Sequence, residues 1–180
     1  MMIFRSFQAG LLFLFIISSL FVIASETNEK QIETKRSGYW TYYCKNYEKE
    51  RQCEIARKIN IEEQNETFLI IYKVTKEINS KVKESLEITT PSAIRVNIKK
   101  RLKISFDDKT KFTRSFLECE KTGCLVMFKS NRMLKYSLKN FNKIKIIFYG
   151  FEDEEPISLT LSMDGFIQAL DDINQQLKSF

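Results

Sequence analysis

Ile157-Ser158-Leu159-Thr160-Leu161-Ser162-Met163-Asp164-Gly165-Phe166-Ile167-Gln168-Ala169-Leu170 changes its period part-way along. Ile157, Leu159 and Leu161 alternate with Ser158, Thr160 and Ser162, the pattern of a strand with one buried face. From Phe166 onward the apolar residues fall at Phe166, Leu170, Ile173 and Leu177, the spacing of a helix with one buried stripe. Ser162 is placed to cap that helix, and Asp164 to favour its first turn. This stretch predicts a strand leading into a closing helix.

The alternation recurs upstream. Ile94, Val96 and Ile98 alternate with Arg95 and Asn97 after Pro91; Leu102, Ile104 and Phe106 alternate with an outward Lys103 and Ser105; Asp107-Asp108-Lys109 supplies a turn. Ile144, Ile146 and Phe148 repeat the period between Lys143, Lys145 and Ile147. Thr67 to Val74 reads as a strong buried strand, and residues 76–85 as a loop with strand ends. Gly38 to Cys44 and Gln52 to Ile59 read as a hairpin, and Phe112 to Leu117 and Leu125 to Phe128 as short strands. Ser130 is placed to cap a short helix carrying Leu134, Leu138 and Phe141. The expected fold is mainly β: an antiparallel β-sandwich or open barrel with two short helices, one at the C-terminus.

Residues 1–24 carry one charge, Arg5, and a thirteen-residue apolar run from Leu11 to Ile23, and the composition turns highly charged after Ser25. This is the three-part layout of a secretory signal peptide. The run is shorter than the roughly 20 residues a spanning helix needs, so cleavage is favoured over a retained anchor. The expected organisation is a signal peptide at 1–24, a flexible leader at 25–37 and one β domain at 38–180. After cleavage the protein is expected not to be integral to a membrane, and to reside in the periplasm or at the outer surface.

Lysine and arginine number 29 against 23 aspartates and glutamates, giving a net charge of +6. That surplus favours anionic partners, and export argues against nucleic acid. Lys99-Lys100-Arg101, followed by Lys103, is a candidate anionic contact; its competing reading is a solvated hairpin edge where lysines oppose aggregation. The chain holds no histidine, which removes imidazole bases, Ser-His and Cys-His pairs, and imidazole metal sites. Asp107-Asp108 and Glu152-Asp153-Glu154-Glu155 are the visible acidic clusters. A carboxylate hydrolase requires two of these acids to face each other across a cleft; both clusters read as solvated turns. No catalytic residue, cofactor or metal is expected.

Cys44, Cys53, Cys119 and Cys124 mature after export, in an oxidising compartment. Four cysteines allow three pairings. Cys44 with Cys53 and Cys119 with Cys124 is favoured, because each bond closes a short loop and stabilises by about 2–3 kcal/mol. A four-thiolate zinc site or a redox pair is set against this by spacing, since neither C-x-x-C element is present.

The ordered set of features resembles the invasion-associated locus B family of bacterial envelope proteins. Cys119-Glu120-Lys121-Thr122-Gly123-Cys124 is similar to the family's C-x-x-x-G-C element, and Ser162-Met163-Asp164-Gly165-Phe166-Ile167-Gln168-Ala169-Leu170 to its S-L-x-G-F-x-x-A-L ending. Trp40, Cys44 and Cys53 occupy matching places upstream. Trp40, Gly123, Gly165 and Phe166 are the expected structural residues. Gly123 can take positive φ in the disulfide loop, and Gly165 allows the last strand and its helix to meet closely. Two departures stand out: Arg57 or Lys58 falls where the family often has Gln, and Thr90-Pro91-Ser92-Ala93-Ile94 replaces a Pro-Leu-Gly-Val segment. The resemblance implies an exported, β-rich envelope protein with no established catalysis, and the leading expectation is a non-enzymatic protein that binds a partner, either a protein or an anionic envelope or host-surface component, in support of host-cell interaction or invasion. The alternative is a periplasmic housekeeping, stress or folding-accessory protein with no host role.

Overall fold

The computed structural model describes residues 34–61, 66–78, 80–152 and 155–180. The expected signal peptide, 1–24, and residues 25–33 of the expected leader, 25–37, lie outside the described residues. Lys35–Ser37, at the end of the expected leader, pairs as a short strand with the segment that follows.

Among the described residues, eleven strands and two helices follow in chain order: β1 Lys35–Ser37, β2 Trp40–Asn46, β3 Glu50–Ile61, β4 Glu66–Glu77, β5 Lys83–Thr90, β6 Leu102–Phe106, β7 Thr110–Arg114, β8 Glu118–Glu120, β9 Gly123–Lys129, α1 Arg132–Asn140, β10 Lys143–Tyr149, β11 Pro156–Ser162 and α2 Phe166–Lys178. They form two antiparallel sheets. One has seven strands in the order β1-β2-β3-β4-β5-β9-β8, and the other four in the order β11-β10-β6-β7. The architecture is sandwich-like, with two helices, one at the C-terminus.

Period-2 patterning explains which face of each sheet is covered. In the large sheet Tyr42, Ile55, Tyr72, Leu86 and Phe128 align in register and are buried. In the small sheet Ile104 and Ile146 align and are fully buried. The inner faces meet in one core, where Phe68 of β4 stacks on Phe148 of β10 at 6.0 Å between ring centres. At the other end, α2 fills the space over β2 and β3. Its Phe166 is fully buried and meets Trp40 edge-on at 5.1 Å and Tyr72 at 5.6 Å. Ala169, Leu170, Ile173 and Leu177 complete the buried stripe. The far end of α2 is held by side chains of the large sheet: Arg51 donates to the Gln176 carbonyl at 2.7 Å and Lys76 to the Leu177 carbonyl at 2.8 Å. Cations at a helix C-terminus satisfy its last carbonyls and oppose its dipole.

Several local expectations are corrected. The strand expected over Ile94–Ile98 does not form; Val96 alone is buried there, with an isolated bridge to Gly150, while Ile98 is 60% exposed. Pro91 breaks the ladder after β5, and alternation without a continuous partner strand is not enough. The strand expected to reach Leu117 stops at Arg114. Ser105, expected outward, is buried between Lys145 and Lys111 in the register of β10, β6 and β7. Asn131 rather than Ser130 caps α1, accepting from the Leu134 amide at 2.8 Å; Ser130 instead donates to Glu84. Gly165 rather than Ser162 occupies the cap position of α2, with φ of 85°. Ser162 accepts from the Asp164 amide at 3.0 Å and so shapes the turn ahead of the helix.

Candidate partner-binding surface

The four cysteines form two disulfides, Cys44–Cys53 and Cys119–Cys124. Each joins residues directly opposite one another on neighbouring antiparallel strands, β2 with β3 and β8 with β9, with Cα atoms 4.0 Å apart. The pairs differ in setting. Cys53 is fully buried under the core, whereas Cys119 is exposed on the three-residue edge strand β8. Both bonds pin the large sheet, one near its start and one at its far edge. Gly123 opens β9 with φ of 129°, and a β-carbon there would overlap the Thr90 carbonyl oxygen. Gly165 is constrained in the same way, not by β11 as its place in the sequence suggests, but by the Ser37 carbonyl at the β1–β2 turn.

Arg57, where the sequence departs from the expected Gln, ties the two ends of the domain together. Its guanidinium donates to the Ser162 carbonyl at 2.6 Å and lies 4.7 Å from the Tyr39 ring centre and 6.0 Å from that of Trp40. Partial burial lowers its pKa from the usual value, and Tyr39 opposes that shift. Glu84 is a second junction missed in the sequence. It accepts from Tyr72 of β4, Ser130 ahead of α1, and Lys135 of α1 at 2.7 Å. Burial, then the bond to Glu84, pushes the Tyr72 phenol far above its usual value. Tyr43 shows the same effect on the outer face, where burial and Glu54 at 2.6 Å raise it.

The acidic clusters do not converge. Asp107 and Asp108 take left-handed φ of 46° and 57° in the β6–β7 turn, a conformation aspartate tolerates better than most residues. The Asp107 carboxylate accepts from the Asn142 and Lys143 amides at 3.3 and 3.1 Å, closing the start of β10. Glu152 lies beyond the opposite end of that seven-residue strand, about 20 Å away at the rise of a β-strand. Glycosidase carboxylates stand roughly 5–9.5 Å apart, so these acids do not form such a pair. Asp153 and Glu154 lie outside the described residues. Among the described residues, no three metal-ligating side chains gather into a site.

Lys99, Lys100 and Arg101 are exposed, but not on a hairpin edge. They occupy the loop into β6, which is an interior strand between β10 and β7. The Lys100 amide donates to the Asn97 carbonyl at 3.0 Å and the Lys99 amide to the Asn97 side chain at 3.2 Å, forming a compact turn. The loop is tied to the end of β10 by Asn97 N–H to Tyr149 at 2.9 Å and Phe151 N–H to Arg95 at 2.6 Å. Lys100 lies 4.0 Å from the Tyr149 ring centre and Arg95 5.9 Å from that of Phe151. Phe151 and Ile98 are 64% and 60% exposed. An open groove of about 420 Å³ runs here, lined by Ile94, Arg95, Gly150, Phe151 and Ile157, with Glu152 as its one acidic side chain among the described residues. Cations stacked on aromatic rings beside exposed apolar side chains make a surface suited to an anionic, partly apolar partner.

The profile of the invasion associated locus B (IalB) protein family matches residues 40–174. The chain belongs to this family. That span runs from Trp40 to the third turn of α2, so it includes both disulfides and nearly all of the core. The chain is also similar to the crystal structure of invasion associated protein B from Bartonella henselae, with a TM-score of 0.68 and 21% identity over 82% of this chain and 98% of that one. This likeness extends the shared sandwich over nearly the whole of the relative. No curated relative matches. Membership of the invasion associated locus B family of envelope proteins supports a non-enzymatic, exported role, in the periplasm or beyond it. Among the described residues no helix is long and apolar enough to cross a membrane.

Proposed function

We propose that the protein is exported by cleavage of residues 1–24 and acts by binding a negatively charged partner at the cell envelope, in support of host-cell interaction. The observation that carries this reading is the exposed turn Lys99-Lys100-Arg101, whose Lys100 lies over Tyr149 next to the Arg95–Phe151 pair, on a scaffold that carries two disulfides. Rigid placement lowers the entropy lost on binding, and loops on such frameworks commonly supply contacts. Family membership supports the envelope setting.

The test is a pull-down from envelope extract under oxidising conditions, comparing the parent with a K99Q/K100Q/R101Q variant at low and high ionic strength. Capture that weakens with salt and with the substitutions supports the proposal, because exposed charge–charge attraction is screened within about 10 Å at 0.1 M salt. Capture indifferent to both overturns it. Surface protease treatment of intact cells separates host contact from a housekeeping role, since complete protection of the protein favours the latter.

A further inference from the structure

The outward face of the small sheet brings together lysines that are scattered in sequence. Register places Thr160, Lys145, Ser105 and Lys111 in one row across β11, β10, β6 and β7, and Ser158, Ile147, Lys103 and Thr113 in the next. Lys145 and Lys111 are two strands apart, about 10 Å, with Lys103 about 8 Å diagonally from each. Lys143 continues the face toward one end. Tyr149, with Lys100 over its ring, and Phe151, with Arg95 over its ring, continue it toward the other. Lys103, Lys111 and Lys143 are exposed and Lys145 half-buried.

Among the described residues, none on this face is acidic, and none of its lysines has an ion pair. Carboxylates lie at its ends, Asp107 bonded to the Asn142 and Lys143 amides, and Glu152 and Glu155 in the β10–β11 turn. The outer face of the large sheet is different: there Lys73 sits 3.9 Å from both Glu54 and Glu87. Helix α2 packs on β1, β2 and β3 of the large sheet and on α1, while Lys103, Lys111, Ser158 and Thr160 on the small sheet's outer face are exposed. Unneutralised lysines on a flat face raise its positive potential without any internal counter-charge.

We infer that this face docks on an anionic phospholipid bilayer. The lysines meet phosphate headgroups, and Phe151 and Tyr149 sit at the interfacial level that aromatic rings favour. A flat array of like charges with aromatic residues at one border complements a planar anionic surface. The inference rests on the reading of an exported, anion-binding protein, but it moves the main contact to the strand lysines Lys103, Lys111 and Lys145, with the loop at their border, and names a lipid occupant.

The test is co-sedimentation of the full chain, exported and purified with its disulfides oxidised, with vesicles of phosphatidylcholine alone or with added phosphatidylglycerol. The parent is expected to bind only the anionic vesicles. K103Q/K111Q/K145Q is expected to weaken binding about a hundredfold, at the usual contribution of each surface lysine. K58Q/K121Q/K129Q makes the same charge change elsewhere and is expected to weaken it less than about threefold, the residue of net charge acting at long range. Trp40 emission confirms that each variant is folded. Equal losses in the two triple variants mean that binding follows net charge, and overturn the inference. A loss confined to K99Q/K100Q/R101Q leaves the loop reading standing and removes this one. A soluble acidic polysaccharide that binds as tightly as the vesicles, with the same loss in K103Q/K111Q/K145Q, makes a glycan the occupant and overturns the lipid assignment.

Discussion

Replacing Phe166 by alanine removes the ring that joins α2 to the large sheet. Phe166 is fully buried, and its ring meets both Trp40, at 5.1 Å, and Tyr72, at 5.6 Å. Truncating a buried phenylalanine costs about 3–5 kcal/mol, combining lost transfer energy with the cavity left behind. The two edge-on ring pairs are part of that figure rather than an addition to it, at about 0.5–1.5 kcal/mol each. The surrounding β2 and β4 are fixed in their ladders, so the site has little freedom to collapse and the upper part of the range applies. For a domain of this size the loss lowers Tm by roughly 6–20 °C. The chain contains a single tryptophan, and it lies against the ring in question, so denaturant unfolding followed by Trp40 emission reports on this packing directly. Phe166→Ala is expected to shift the emission of the folded state to the red as well as lower the midpoint. Phe166→Leu, which keeps most of the apolar volume, is expected to retain much of the stability. A loss under about 1 kcal/mol with unchanged emission would refute the packing of α2 described above.

Opening either disulfide by paired Cys→Ala substitution is expected to cost about 2–3 kcal/mol from loop entropy, read as a lower denaturation midpoint. Under graded reduction, alkylation and mass spectrometry should find Cys119 and Cys124 labelled before Cys44 and Cys53, because Cys119 is exposed and Cys53 fully buried. Gly165→Ala is expected to destabilise by at least about 2 kcal/mol, since L side chains disfavour its φ of 85° and the new methyl would overlap the Ser37 carbonyl oxygen; a neutral result by thermal melting would contradict that contact. Tyr43 and Tyr72 have phenols raised above the usual value by burial and by Glu54 and Glu84. The native state therefore holds these protons longer than the unfolded chain, and the stability they contribute is complete below about pH 10 and falls as pH rises beyond it. Denaturation midpoints at pH 8 and pH 11 should show a smaller drop for Tyr43→Phe/Tyr72→Phe than for the parent.

Strands that alternate and also find a partner throughout their length were readable in the sequence. Ile144, Ile146 and Phe148 mark β10, and Leu102, Ile104 and Phe106 mark β6, because each has a neighbour in register along its run. Ile94, Val96 and Ile98 alternate just as well, yet only Val96 is paired. Period reports which side chains are fit to be buried; whether a partner strand arrives depends on contacts distant in sequence. The helix caps failed for a local reason. Ser130, Asn131 and Ser162 are all competent caps, and competition between adjacent residues is settled by side-chain geometry. The candidate surface was half visible. Lys99-Lys100-Arg101 stands out as a run, whereas Lys103, Lys111 and Lys145 belong to three strands whose order, β10-β6-β7, differs from their order in the chain. Arg57 stood out only as a departure from the family pattern and Glu84 left no signal, since their partners Ser162 and Lys135 lie 105 and 51 residues away.

The position of α2 has a consequence for the order of assembly. The last thirteen-residue element supplies the ring that Trp40 and Tyr72, among the first strands, require. The packing of the first strands is therefore finished only by the C-terminal segment, a contact made across nearly the whole described chain. A chain truncated ahead of Phe166 is expected to leave Trp40 and Tyr72 beside an unfilled cavity.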